Sequence, residues 1–537
     1  MYRGVRGATR RPARRWCAIA IALVVGLLAA GCSTTDHEGS GPDEDLRVAE
    51  TDEGPDDQDP GAATSDADPN GATPTTTGSD DDPAGASGGE GTAVTTTTPP
   101  GTGLACQLDM PASITLWHSL GGDQSVEALD EIVASFAVLH PEIEVEVVRA
   151  EGYQNALRLF RETPADQLPD LFMASNNTAR LLADSGVFVP PRICTGADPP
   201  VLDDLLPVIR STLTIDDVLW AYPTNVSAPV LVYDSSLLAQ LDLEIDPNGP
   251  AIGLDELGEM VVALRDSGLA PGGLALYDRS ASWLVEQWAV HHGQVLVEPD
   301  NGVHGHPVDG VGFVTDEALA SLEWARALYD DDLVSWVGLN QSGIDDLLKL
   351  IDLAERAAFT VHTSAALGDL VWLIAGAGLP DLEGAELGVA PFPSPVGATG
   401  SLVGGGSVWL MGNGDPVVLG AAAHFAEYLM EPLSQATLAA ASGYVPATLS
   451  AAAHPVTVAR WEEFPQFGVG YGQLVDQGGT PAETGMQIGP RVQVQRVLEK
   501  AAADVIVGGA DARTRLEAAE VEALDLIRRY ERDSAGE

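Results

Sequence analysis

The sequence predicts an α/β protein of two lobes, with mainly parallel sheets and helices on both sheet faces. Three observations carry that prediction. From Cys106 onward, short strand-like apolar runs alternate with longer runs of helical period, the pattern of strands joined by crossover helices. This part runs about 430 residues, too long for one simple core and natural for two. No internal repeat offers a solenoid or propeller instead.

The elements follow in order. Ser113 to Trp117 reads as a short buried strand. In Asp123 to Leu139, Val126, Leu129, Ile132, Val133 and Phe136 share one helical face, and Pro141 ends that helix. Glu142 to Val148 alternates as a strand, Tyr153 to Phe160 is helical, Asp170 to Ala174 is a strand and Thr178 to Asp184 a helix. Val230 to Tyr233, Ala357 to Val361, Leu387 to Pro391 and Ser407 to Met411 read as further strands. Helical patterns cover Leu254 to Asp266, Ala281 to His291, Asp316 to Tyr329, Pro416 to Met430, Ser434 to Ala441 and, most strongly, Arg513 to Tyr530.

The first residues set the compartment. Arg3, Arg6, Arg10, Arg11, Arg14 and Arg15 precede an apolar run from Trp16 to Ala30. The run is too short to span a bilayer comfortably and ends in small residues, the layout of a secretory signal. Leu28-Ala29-Ala30-Gly31-Cys32 resembles a bacterial lipobox, with Ala29 where Leu is more usual. Residues 1–31 are then the signal, and Cys32 is the acylated first residue of an extracytoplasmic protein lipid-anchored to the cell membrane. The alternative is ordinary secretory cleavage with an incidental cysteine.

Residues 32–105 read as a disordered acidic linker. From 33 to 105 there are seventeen Asp or Glu against one Arg47, with no aromatic residue. Such a stretch buries too little apolar surface to offset its ordering entropy. As a flexible leash it spans roughly 50 Å root-mean-square.

Net charge is −52. Only Lys349 and Lys500 are lysines, so the basic residues are nearly all Arg. This argues against nucleic acid or anionic lipid as partner. Of the four cysteines, Cys17 leaves with the signal and Cys32 takes lipid. An oxidising compartment favours pairing Cys106 with Cys194, the alternative being two buried thiols. The bridge would close a loop of about 88 residues, worth roughly 4–5 kcal/mol in the chain-entropy model.

Five motifs then stand in order: Leu116-Trp117-His118-Ser119 before a Gly-rich turn, Gly152-Tyr153-Gln154-Asn155, Pro223 through Tyr233, Gly404-Gly405-Gly406-Ser407-Val408-Trp409, and Ser442-Gly443-Tyr444-Val445-Pro446-Ala447-Thr448. Each alone is weak. Together they resemble the extracellular solute-binding proteins of ABC importers, the group of maltose- and glycerol-3-phosphate-binding receptors, and most of all the glycerol-3-phosphate branch. The resemblance implies a type II periplasmic-binding-protein-like fold with a hinged cleft. It places 106–227 and 357–403 in lobe 1, and 228–356 and 404–537 in lobe 2. The chain would cross near Ser227, return near Ala357 and cross again near Gly404. Hinge closure would capture a sugar, polyol or glycerol-phosphate-type solute for delivery to permease subunits. No enzymatic activity, cofactor or metal is expected.

Polyol and sugar sites combine aromatic faces with fixed polar groups. By resemblance, Tyr153, Ser227 and Tyr444 match ligand contacts. Thr363 and Ser364 open a helix after a strand, and Gly404 and Gly405 permit close backbone approach. Trp283 is the cleft candidate of its helix, whereas Trp288 and Trp117 read as core. Each has a plainer reading as packing, a helix cap or a bend. Two positions depart from the branch. Asn176 or Asn177 stands near its glutamate, and Gln487 stands where it has a phosphate-gripping arginine. An uncharged Gln lacks the bidentate guanidinium that suits phosphate. Arg491 and Arg279 are possible substitutes that the sequence does not place in the cleft.

Two rival readings remain. A secreted hydrolase would need motifs that are missing: there is no His-Glu-x-x-His, no Gly-x-Ser-x-Gly and no phosphate loop. His291-His292 and His304-Gly305-His306 read as loop histidines rather than metal ligands. The same fold in another role would present ligand to a membrane sensor.

Overall fold

The computed structural model describes residues 106–107, 110–339, 343–352, 354–376, 385–394, 400–412 and 414–535. The expected signal, Cys32 and the expected linker lie outside the described residues. Two sheets organise the chain.

The first sheet contains β1 (Ala112–His118), β2 (Ile143–Arg149), β3 (Leu171–Ser175), β4 (Phe188–Val189), β5 (Tyr222–Ser227) and β11 (Gly404–Met411). Its order is β2-β1-β3-β11-β4, with β5 also on β11. The second contains β6 (Pro229–Asp234), β7 (Gly273–Leu276), β8 (Val334–Trp336), β9 (Ala357–Thr363) and β10 (Leu387–Pro391), in the order β8-β7-β9-β6-β10. The α/β class and both-faces architecture hold, but the strand sense is mixed. β1 runs parallel to β2 and β3, and β7 parallel to β8 and β9. β11 and β6 run antiparallel to their neighbours. The crossing strands cause this, because each enters its sheet from the direction of the other.

The expected lobe boundaries are corrected at two segments. Ala357–Thr363 pairs with β6 and β7, and Leu387–Pro391 with β6, so 357–391 belongs to the second lobe. Gly404–Met411 pairs with β3, β4 and β5, and Leu419, Phe425, Leu438 and Ala447 downstream pack in the same core, so these residues, expected in lobe 2, belong to the first lobe. The chain leaves the first sheet after Ser227 and returns to it at Gly404, not near Ala357. An apolar run states that it is a buried strand and is silent about which sheet takes it.

The first lobe's core gathers Leu116, Phe136, Phe172, Trp409 and Phe425. Its helices are α1 (Asp123–Leu139), α2 (Tyr153–Glu162), α3 (Ala179–Asp184) and α4 (Pro207–Thr212), with α9 (Pro416–Met430) and α10 (Pro432–Ser442) returning from downstream. In α1 the predicted apolar face is the buried one, Leu129, Ile132 and Phe136 among it. Cys106 and Cys194 are joined in a disulfide, and the Gln107 N–H donates to Pro416 O at 2.9 Å, so the first described residues are clamped to this lobe.

Strand β6 shows why the second sheet is covered on both faces. Leu231 and Tyr233 face one core with Phe359 and Trp288, while Val230 and Val232 face another with Leu347 and Phe467. Successive strand residues point to opposite faces, so an unbroken apolar run needs cover on both. The main helices here are α5 (Leu254–Asp266), α6 (Asp278–His291) and α7 (Asp316–Asp330); α8 (Leu367–Gly376) follows β9, and α11 (Arg491–Ile506) and α12 (Ala512–Ala535) close the described chain. Residues Leu498, Ala502, Leu516 and Ala523 place these last two helices in the second lobe's core.

Candidate functional site

Parallel strands end together. β1, β2 and β3 stop at His118, Arg149 and Ser175, and the turns that follow carry Ser119, Tyr153, Asn176 and Asn177. β7, β8 and β9 stop at Leu276, Trp336 and Thr363, followed by Tyr277 and Ser364. Ligands of open α/β sheets bind outside these carboxyl ends. Between the two sets run the crossing segments, with Ser227 opposite Gly404, Val226 opposite Gly405 and Asn225 opposite Gly406.

The most developed cluster stands on those segments. The Asn225 side-chain amide donates to the Tyr153 hydroxyl at 2.6 Å, and its carbonyl accepts from the Thr224 hydroxyl at 3.0 Å. The Tyr444 hydroxyl lies beside the Tyr153 hydroxyl and the Asn225 side chain. Burial, then the neighbouring Tyr444, pushes the Tyr153 phenol well above its ordinary value, and burial raises Tyr444 as well. Both phenols therefore stay protonated and can donate and accept. Tyr444 is held by its own loop. Its N–H donates to Ser442 Oγ at 3.1 Å, and the Val445 N–H donates to Val226 O at 2.7 Å.

The glycine run makes room for this. A Cβ at Gly406 would fall 2.7 Å from the Tyr153 hydroxyl. Gly405 has φ +79°, and a Cβ there would fall 2.1 Å from Asn225 O. Both places require glycine, one for space and one for backbone conformation as well.

Other predicted residues lie beside this cluster with partners of their own. Ser364 ties the crossing strand: its Oγ accepts from Ala228 N–H at 3.2 Å and its N–H donates to Ala228 O at 2.9 Å. Thr363 caps the following turn, its Oγ1 accepting from Ala365 N–H at 3.4 Å. Ser227 is buried where the chain crosses. Asn176 braces the glycine strand, donating to Gly404 O at 3.0 Å and accepting from Ser407 Oγ at 2.7 Å.

Asn177 and Gln487 are not in that cluster. Asn177 accepts from Arg491 Nε at 3.2 Å and donates to Gln495 at 3.1 Å. Gln487 donates to Thr212 O at 2.8 Å. Of the two alternative cations, Arg491 is paired with Glu286 at 3.0 Å and Arg279 with Glu499 at 3.2 Å.

The second lobe contributes aromatic groups. Trp283 is half-buried on α6 and packs edge-on against Tyr277 at 6.2 Å. Tyr277 lies 6.0 Å from the His362 ring, whose Nδ1 is 3.0 Å from a buried Asp346 oxygen. Sequence reading did not single out Asn225, Tyr277 or His362. Asn225 lay inside the Pro223 to Tyr233 motif, and the position of Tyr277 just after an apolar run was the one available signal.

His118 ends β1. It is buried, and Leu120 N–H donates to its Nδ1 at 3.4 Å. Burial, with a smaller push from Arg149, lowers its pKa to about 4, so the ring is neutral at pH 7. Among the described residues no group of three or more His, Cys, Asp or Glu is placed to hold a metal ion, and no helix is long and apolar enough to cross a membrane.

Comparison with known proteins fits this geometry. The chain is 23% identical over 428 residues to the sn-glycerol-3-phosphate-binding periplasmic protein UgpB of Rhizobium meliloti, covering 78% of this chain and 94% of that protein. Among solved structures it is similar to the sugar-binding protein MalE of Xanthomonas citri, with TM-score 0.63, 18% identity, and 79% of this chain and 100% of that one covered. It is also similar to UgpB of Mycobacterium tuberculosis in complex with glycerophosphocholine, with TM-score 0.60, 17% identity, and 78% and 99% covered. At these identities the solved structures establish the fold. Residues 131–466 match the profile of the bacterial extracellular solute-binding proteins, and the chain belongs to that family.

Proposed function

We propose that this protein is the lipid-anchored, extracytoplasmic receptor of an ABC importer, and that it captures a neutral sugar or polyol for a membrane permease. The observation that carries the ligand class is the Tyr153–Asn225–Tyr444 cluster on the crossing strand. It offers two protonated phenols, one of them held by the Asn225 amide, as the uncharged donors and acceptors that answer hydroxyl groups. Trp283, half-buried and braced edge-on by Tyr277, is the aromatic group to cover the apolar side of a sugar.

Charge supports the same reading. A phosphate calls for an unpaired cation, preferably a guanidinium. Here Gln487 replaces the arginine expected from the resemblance, and Arg491 and Arg279 are each engaged by a glutamate. A phosphorylated glycerol finds neither of those two guanidiniums free.

The test is a thermal-shift panel of maltose, trehalose, simple polyols, glycerol-3-phosphate and glycerophosphocholine. A ligand at 100 times its dissociation constant stabilises the fold by about 2.7 kcal/mol. Stabilisation by an uncharged member is the expected result. A shift confined to glycerol-3-phosphate would overturn the neutral-ligand reading. Anchoring is tested separately, by mass spectrometry of the mature N-terminus and by release of Cys32→Ser from membranes.

A further inference from the structure

The lobes are joined by a seam of side-chain hydrogen bonds between the first lobe and the C-terminal stretch. Asn177 bonds with Arg491 and Gln495, and Gln487 with Thr212. The Ser211 and Thr484 hydroxyls are 2.8 Å apart, Arg496 donates to Gln154 at 3.3 Å, and Tyr530 donates to Asp184 at 2.9 Å. Helices α11 and α12, which carry Arg491, Gln495, Arg496 and Tyr530, pack in the second lobe. The seam therefore holds one lobe to the other.

Its centre is buried and charged. Arg491 is 8% exposed, Glu286 2% and Gln487 6%. The Arg491 guanidinium meets Glu286 at 3.0 Å, Met486 O at 3.1 Å and Asn177 Oδ1 at 3.2 Å. Three of its five N–H donors are thus spent on the protein, on both sides of the seam. A ligand group arriving there would have to displace a charge-assisted bond and leave a buried carboxylate or amide unmatched, which is costly.

We infer that Asn177, Gln487 and Arg491 form an interlobe latch, closing the lobes through protein-to-protein hydrogen bonds rather than by contacting ligand. Hinge closure is a population shift, and contacts present only in the closed form favour it with or without ligand. A larger closed fraction also raises apparent affinity for any ligand that needs the closed form. The latch deepens the neutral-ligand reading, because it engages the guanidinium that a phosphate would want, but its existence does not depend on which ligand binds.

The test is made on the ligand-free, full-length protein. Small-angle scattering reports lobe opening, and amide hydrogen exchange reports protection at residues 486–496. Asn177→Ala removes the partner of Arg491 and Gln495, and Gln487→Ala removes a separate contact, so either carries the test if the other fails to fold. The expected result is a larger radius of gyration, faster exchange at 486–496 and an about tenfold lower closed-to-open ratio, the scale of one hydrogen bond to a charged group. Folded variants with wild-type scattering and exchange would overturn the latch. Because neither readout uses ligand, failure of the sugar panel leaves this result standing, and the reverse holds as well.

Discussion

Asn225 donates to Tyr153 at 2.6 Å, tying a strand that crosses between the lobes to the first turn of a first-lobe helix. Asn225 is fully buried, so its amide depends on partners within the protein. Tyr153→Phe keeps the ring and removes the acceptor. The expected loss is about 1–3 kcal/mol of unfolding free energy, the cost of an unsatisfied buried donor. Urea denaturation measures it, and an unchanged midpoint would show that Tyr444 alone can satisfy the amide.

Tyr444→Ala removes the phenol beside Tyr153 and Asn225 without touching the Val445–Val226 backbone bond that holds the loop. It should abolish measurable binding of whichever panel sugar or polyol stabilises the wild type, while the protein stays folded. Calorimetry returning wild-type affinity would remove Tyr444 from the site.

Gly405→Ala should destabilise by roughly 2–5 kcal/mol. The residue sits at φ +79°, and the added methyl would lie 2.1 Å from Asn225 O. Left-handed backbone costs a non-glycine residue about 1–2 kcal/mol, and overpacking adds a similar amount. For a folded body of this size that is a Tm drop of about 2–5 °C, and an unchanged Tm would mean that the crossing strand gives way easily.

His118 makes stability depend on pH. Its folded-state pKa is about 4 against an ordinary 6.5, so the unfolded chain takes up the proton more readily. Its contribution is complete above about pH 6.5 and is lost as pH falls toward 4, amounting to roughly 3 kcal/mol. Denaturation at pH 7.5 and pH 4.5, compared with His118→Gln, isolates this group. Equal pH dependence in the two proteins would contradict a buried neutral ring.

Much of the architecture was readable because it follows from period. Leu254–Asp266, Asp316–Asp330 and Pro416–Met430 fall where the apolar spacing puts helices, within a residue. Helix α11 was not singled out, although it carries Arg491. Its sequence mixes Arg, Gln, Glu and Lys among its apolar residues, and the pattern makes sense only once the partners α6, α7 and α12 are in place.

The sequence by itself determined the α/β class, the positions of most elements and the short list containing Tyr153, Ser227, Gly404, Gly405 and Tyr444. These follow from local spacing and from motifs read along the chain. Tertiary structure decided which sheet takes each strand, because buried runs such as Ala357–Val361 and Ser407–Met411 satisfy either sheet equally well. It also decided the chemistry of the polar residues. Asn177, Gln487 and Arg491 look equally available in a sequence, and only the packing of α11 against the first lobe engages their donors and acceptors. A hydrogen bond depends on what lies within about 3 Å, across separations as long as the 314 residues between Asn177 and Arg491.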